Sequence, residues 1–300
     1  MRDRMLGYDI LDKRFERCVR TTELPVKLFE GCRWAEGPAW FAAGRYLVWS
    51  DIPNDRILRW DEPTGSVGVF RQPAGNTNGH TVDGQGRLVS CEHGGRRVTR
   101  TEHDGSITVI ADRFDGKRLN SPNDVVVHSS GAVYFSDPAY GIDGWYEGHK
   151  AESEIGACHV FRVSPDGEIT LAADGFDRPN GLALNPDESK LYVSDTGVKP
   201  STMTVFDVGA DGALSNRTHF ATSTAGSFDG FRFDSDGLIW TSAADGVHCL
   251  HPDDGKLIGK VRVPETVANV CFGGPKRNRL YICATTSLYA ILLPVRGAAR

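Results

Sequence analysis

Six times along the chain a polar or acidic residue opens a short apolar run, a turn follows, and a second run rich in β-branched and aromatic residues returns. The opening runs occupy 36–40, 78–82, 123–127, 180–184, 229–233 and 269–272, and the returning runs 47–51, 88–92, 133–137, 191–195, 239–243 and 280–284. Short runs of this composition, bounded by turn residues such as Asp83-Gly84, Asp166-Gly167 and Asp236-Gly237, read as β-strands. Successive openings lie 42, 45, 57, 49 and 40 residues apart, the length of a four-stranded propeller blade. The pattern predicts an all-β chain folded as a six-bladed β-propeller. A β-sandwich or a two-domain all-β arrangement is the alternative, and no stretch after residue 17 sustains helical periodicity.

Every returning run ends 14 or 15 residues after its opening residue, so strand, tight turn and strand bring the chain back to the rim it left. The first strand of a propeller blade is innermost. The six anchors Glu36, Asn78, Asn123, Asn180, Asp229 and Asn269 are therefore expected to converge on one axis. Closure is legible too. The run 26–30 has the place of a fourth strand but no blade precedes it, so it is expected to pair with 287–293 and remove the open edges. This divides the chain into an N-terminal extension, 1–24, and a single propeller domain, 25–300.

Composition narrows the function. The net charge is −5 and the pI about 6.0, without the basic excess that a nucleic-acid partner requires. The first fifteen residues are studded with Arg and Asp in place of an apolar signal core, and no apolar run approaches the ~20 residues that span a bilayer. A cytoplasmic protein without nucleic-acid or membrane partners is expected. The seven cysteines form no Cys-x-x-Cys pair and are odd in number, so buried reduced thiols are expected rather than a zinc clip or a disulfide framework.

The anchors carry the chemistry. Two carboxylates, Glu36 and Asp229, and the amides of Asn123 and Asn180 would face one axis, where no anchor is Lys or Arg. A buried carboxylate is costly unless paired or metal-bound, and an all-oxygen donor set selects a hard divalent cation. Taken singly, each Asn reads equally as a turn residue, and Glu36 as one half of an ion pair; recurrence at one register favours ligands. Asp51, Asp137 and Asp195 end second strands, where they either orient the site or cap turns. His80, two residues after Asn78, is expected to point into the channel as a general acid or base, or to line it as a satisfied core histidine. His93 is a weaker candidate. No Gly-x-Ser-x-Gly elbow, phosphate loop or His-Glu-x-x-His occurs.

Glu36-Gly37-Pro38, Ser121-Pro122-Asn123-Asp124, Phe135-Ser136-Asp137-Pro138, Arg178-Pro179-Asn180-Gly181, the run 191–195 and Phe228-Asp229-Gly230-Phe231 together resemble the gluconolactonase and regucalcin (senescence marker protein) family over about residues 25–292. The resemblance implies a six-bladed propeller that hydrolyses sugar lactones such as glucono-1,5-lactone. It implies one divalent metal, calcium first and Zn²⁺, Mn²⁺, Mg²⁺ or Fe²⁺ as alternatives, held by Glu36, Asn180 and Asp229. Asn123 lies beside metal and substrate, and Asp229 is the proton donor and acceptor. One position departs: Ser121 stands where the animal members carry Arg. Asn78, Glu92 and Asp195 are expected to supply polar contacts to a hydroxylated substrate. Residues 140–156, rich in Trp and Tyr, follow a second strand and are expected to cover a sugar ring. Two other functions fit the same scaffold: a phosphotriester hydrolase resembling diisopropyl fluorophosphatase, and a non-enzymatic calcium-binding propeller.

Overall fold

The computed structural model describes residues 4–5, 7–20 and 22–298. Alternating apolar runs and Asp-Gly turns fold into six antiparallel blades arranged in a ring, each built outward from its first strand. Blade one comprises Ala35–Phe41, Tyr46–Asp51, Arg56–Asp61 and Val67–Arg71; blade two, Thr77–Val82, Leu88–Glu92, Arg97–Thr101 and Ile107–Ala111. Blade three comprises Val125–Val127, Val133–Asp137, Cys158–Val163 and Ile169–Phe176; blade four, Pro179–Leu184, Lys190–Asp195, Thr202–Val208 and Leu214–Thr222. Blade five contains Phe231–Phe233, Ile239–Ala243, Gly246–Leu250 and Leu257–Arg262. Blade six is Val267–Gly273, Arg279–Ala284, Ser287–Leu292 and, as its outer strand, Val26–Glu30. The closure expected from the sequence is present: Leu288 pairs with Phe29 and Tyr289 with Lys27. Each first strand touches the first strand of the next blade, and Val267–Gly273 returns to Ala35–Phe41.

Both faces of a blade pack on neighbours, which explains why second strands such as Leu88–Glu92 and Val133–Asp137 are buried at every position. Outer strands such as Ile107–Ala111 are largely exposed. Apolar side chains gather in the seams between blades. Trp49 and Tyr281 fill the seam of blades six and one, Phe135 and Phe161 that of two and three, Tyr134 and Leu182 that of three and four. Each such side chain contributes about 1.5–3 kcal/mol relative to exposure.

The described part of the segment before residue 25 lies along blade five. Tyr8–Ile10 pairs with Leu257–Arg262 as a further strand, and a short 3₁₀ helix, Lys13–Cys18, follows, capped by Asp12. Phe15 of that helix is buried against Trp240, ring centroids 5.9 Å apart, over Gly259. All seven cysteines are free thiols, six of them buried. Among the described residues no helix is long and apolar enough to cross a membrane.

Candidate metal centre and substrate cavity

Four anchors sit where their strands are bulged. Pairing of first with second strand slips between Glu36 and Ala39, between Thr77 and His80, between Pro179 and Leu182, and between Val267 and Asn269. A bulge inserts an unpaired residue and re-aims its side chain, which sets Glu36, Asn78 and Asn180 at the channel mouth. Glycine next to an anchor permits the crowding this requires. A Cβ at Gly79 would strike the carbonyl of Asn123, and one at Gly181 the carbonyl of Asp229. The Asn-Gly pairs that resemble turns locally are places where neighbouring inner strands approach each other.

Hydroxyls then tie blades one, three and four to the next anchor. Ser50 Oγ donates to the Asn78 carbonyl at 2.8 Å, Ser136 Oγ to that of Asn180 at 2.6 Å, and Ser194 Oγ to that of Asp229 at 3.2 Å. The acids that end second strands hold the loop before their own anchor. Asp51 accepts from Arg33 N at 2.8 Å, Asp137 from Asn120 N at 2.8 Å and Ser121 N at 2.9 Å, and Asp195 from Asp177 N and Arg178 N at 2.9 Å. Each such hydrogen bond is worth about 0.5–1.5 kcal/mol, and Asp137 and Asp195 each hold two, so these loops are stiffly held. Asp51, Asp137 and Asp195 thus orient the anchors through the backbone.

Glu36, Asn78, Asn123, Asn180 and Asp229 line a common cavity of about 330 Å³. Burial drives the Glu36 carboxyl well above the usual carboxylate range, and the charges of Asp229 and Asp124 add to it. Burial, then the charges of Asp124 and Glu147, pushes Asp229 up to about 8. Among the described residues neither Glu36 nor Asp229 forms an ion pair with Lys or Arg. Lys199 Nζ is spent on Thr196 O and Ser227 Oγ, both at 3.2 Å, and Arg232 lies 3.4 Å from Asp124. Two acids sharing a buried wall without an ion pair are costly, and a divalent ion removes that cost. Asn180 Nδ2 donates to Thr196 Oγ1 at 3.3 Å, which leaves its oxygen available. An all-oxygen set with two carboxylates fits Ca²⁺ or a similarly hard ion. Among the described residues no group of three His, Cys, Asp or Glu side chains is placed to hold a metal ion, so this donor set depends on its asparagine oxygens.

Three expected site residues lie elsewhere, Asp195 being taken up by the loop before Asn180. His80 is fully buried beside another cavity, at the far end of the inner strands, with Nε2 2.8 Å from Ser50 Oγ and Nδ1 2.8 Å from Ser90 Oγ. The bulge between Thr77 and His80 breaks the alternation that would have put His80 with Asn78. Burial and the Arg71 charge hold the His80 ring down to about 3, so it is a neutral bridge between two serines. Glu92 faces its own blade: it accepts from Arg97 Nε at 2.6 Å and Thr99 Oγ1 at 2.9 Å. Asn269 does not line the cavity but hydrogen-bonds Glu36.

Residues 140–156, the segment expected over the substrate, supply cavity walls through two residues that the sequence reading did not name individually, Tyr140 and Glu147. The short helix Tyr140–Asp143 opens this segment, and Tyr140 and Glu147 both line the cavity. Tyr140 Oη lies 2.6 Å from Thr196 Oγ1, Asp143 pairs with Arg178 at 2.5 Å, and Tyr146 stacks under Arg33 of the loop before blade one. The segment thus reaches from blade three to the loops of blades four and one. Ser121 seats it, donating to Pro138 O at 2.6 Å and accepting from Gly141 N at 2.9 Å. Trp145 of this segment is exposed. Asp124, whose charge reaches both anchor carboxyls, was also passed over; its place directly after an anchor was the available signal.

Residues 34–286 match the family described as SMP-30/Gluconolactonase/LRE-like region. The chain is 33% identical over 283 residues to a gluconolactonase of Zymomonas mobilis, covering 86% of this chain and 78% of that one. It is 30% identical over 259 residues to a pentonolactonase of Haloferax volcanii, covering 84% and 81%. The solved gluconolactonase of Xanthomonas campestris superposes with a TM-score of 0.90 at 39% identity, over 96% of this chain and 95% of that one. A calcium-binding regucalcin of Agrobacterium tumefaciens, 22% identical, shares the fold with a TM-score of 0.73 over 91% and 94%.

Proposed function

The chain belongs to the SMP-30/gluconolactonase/LRE-like family, and from that membership we propose that it is a metal-dependent hydrolase of sugar lactones, with glucono-1,5-lactone the first substrate to test. The observation that carries the reading is the convergence of Glu36, Asn123, Asn180 and Asp229 on one cavity, where among the described residues neither carboxylate is ion-paired to Lys or Arg.

Glu36, Asn180 and Asp229 would hold one divalent ion, calcium first, with Asn123 beside it. Such an ion, when bound, supplies Lewis acidity that stabilises negative charge on a carbonyl oxygen. The chain's own groups do the rest. The Asp229 carboxylate takes a proton from the attacking water as the water oxygen bonds to the lactone carbonyl carbon. It returns that proton to the ring oxygen when the C–O bond breaks, which yields the open hydroxy acid. Asn123 holds the substrate by its amide, and Tyr140 presents its hydroxyl to ring hydroxyls. The loops locked by Asp51, Asp137 and Asp195 keep these groups in place without reorganisation.

Lactone opening is followed by acid release, before and after chelation and after re-addition of Ca²⁺, Mn²⁺, Zn²⁺, Mg²⁺ or Fe²⁺, with organophosphate triesters in parallel. Activity on the lactone that is lost on chelation and restored by an added ion is expected. Turnover confined to phosphotriesters, or lactone opening indifferent to chelation, overturns the proposal.

A further inference from the structure

Asn269 lies in the first strand of blade six, which packs between the first strands of blades five and one, and so between the strands that follow Asp229 and carry Glu36. It is buried, and unlike the other five anchors it does not line the cavity. The slip in strand pairing between Val267 and Asn269 re-aims it, and its amide lies against Gly230, where any Cβ would overlap it. Gly230 N donates to Ala268 O at 2.8 Å, so the backbone next to Asp229 is pinned to the strand that carries Asn269. The amide has only one way round. Val270 N donates to Asn269 Oδ1 at 2.8 Å, which leaves Nδ2, a donor alone, for the Glu36 carboxylate that Asn269 hydrogen-bonds. Gly37 N donates to Oε2 of the same carboxylate.

We infer that Asn269 is a positioning residue for the metal ion: by donating to the Glu36 carboxylate it fixes the orientation in which Glu36 offers an oxygen to that ion. The inference rests on the metal-dependent reading of the site and names the contribution of blade six, the one blade whose anchor is withheld from the cavity. A ligand carboxylate already held by outer hydrogen bonds has less freedom to lose when an ion arrives, and such partners are worth about 10–100-fold in affinity. An amide suits this place. It supplies the donor without adding a third charge between two acids that share a buried wall.

The experiment follows ion binding by the folded chain. Asn269→Ala is expected to weaken Ca²⁺ binding, measured by calorimetry, about 10–100-fold. Terbium luminescence lifetimes in light and heavy water count the waters on a Tb³⁺ ion bound in place of Ca²⁺. About one water more than in wild type is expected in Asn269→Ala, because a Glu36 carboxylate no longer held leaves a coordination position to solvent. A residue that only supports the strand would lower the melting temperature and leave affinity and water count of the folded chain at their wild-type values; that result overturns the inference. A crystal structure of the Ca²⁺-loaded wild type, which depends on no variant folding, is expected to show Asn269 Nδ2 within hydrogen-bond distance of Glu36 while Glu36 binds the ion. Nδ2 donating elsewhere overturns it as well. A wild type that binds Ca²⁺ yet opens no lactone counts against the lactonase reading alone, whereas one that binds neither Ca²⁺ nor Tb³⁺ overturns the inference.

Discussion

The two ends of the axial channel enclose nearly equal spaces, about 330 Å³ at the anchors and about 320 Å³ at the far ends of the same inner strands. Their chemistry is opposite. The anchor end gathers Glu36, Asp229 and three asparagines. The far end is walled by residues such as Ala39, Val82, Val127, Ala183 and Phe272, and Gly297 and Ala298 near the C-terminus border it. Its two arginines are occupied: Arg232 donates to Phe231 O at 2.7 Å and Arg277 to Gly297 O at 2.9 Å. A propeller ring makes two cavities for free, and only the one with unneutralised carboxylates is suited to hold a cation. Size does not distinguish them; uncompensated charge does.

The sharpest way to break this comparison is at the anchor end. Asp229→Asn and Asn180→Ala are each expected to lower kcat/KM for glucono-1,5-lactone by about 10³, with melting temperatures at or above wild type in the chelated protein. Lactonase rates near wild type in both would remove the anchor end from the chemistry.

A thermal melt series sharpens the electrostatic half of the contrast. In the metal-free chain the carboxyls of Glu36 and Asp229 titrate above their unfolded values, Asp229 at about 8 against 3.8. Between those pH values the folded chain keeps protons that the unfolded chain has released. Stability is therefore full below about pH 4 and declines as pH rises toward 8 as far as these two groups decide it. The chelated protein is expected to lose several degrees of melting temperature from pH 5 to pH 8, and added Ca²⁺ to abolish that decline. Parallel curves with and without Ca²⁺ would mean that these acids do not bind it.

The smallest effect belongs to the far end. His80→Ala removes the ring that bridges Ser50 and Ser90 and is expected to cost about 1–3 kcal/mol of stability. Its kcat/KM should stay within about threefold of wild type. A loss of rate approaching that of Asp229→Asn, with folding kept, would return His80 to the catalytic site.

The comparison also shows how far local pattern reaches. Strand pairs with period-two alternation and a constant offset specify blades, and the run 26–30 without a blade of its own specifies closure with 287–293; both are present. The five anchors around the cavity were legible because each opens an inner strand, so position along the repeat translates directly into position on the axis. His80 was misplaced because two residues of regular alternation were assumed across a bulge. Glu92 was misplaced because its partners, Arg97 and Thr99, lie on the adjacent strand of its own blade.

Sequence by itself determined the blade count, the closure and the order of polar residues around the axis, since all three follow from short-range periodicity repeated along the chain. Tertiary structure alone decided which serine steadies which anchor, as Ser136 does Asn180, 44 residues away. It also decided that Glu147 and His93 meet behind Asn78. Those contacts join different blades, and their geometry exists only once the ring has closed and desolvated the groups that make them.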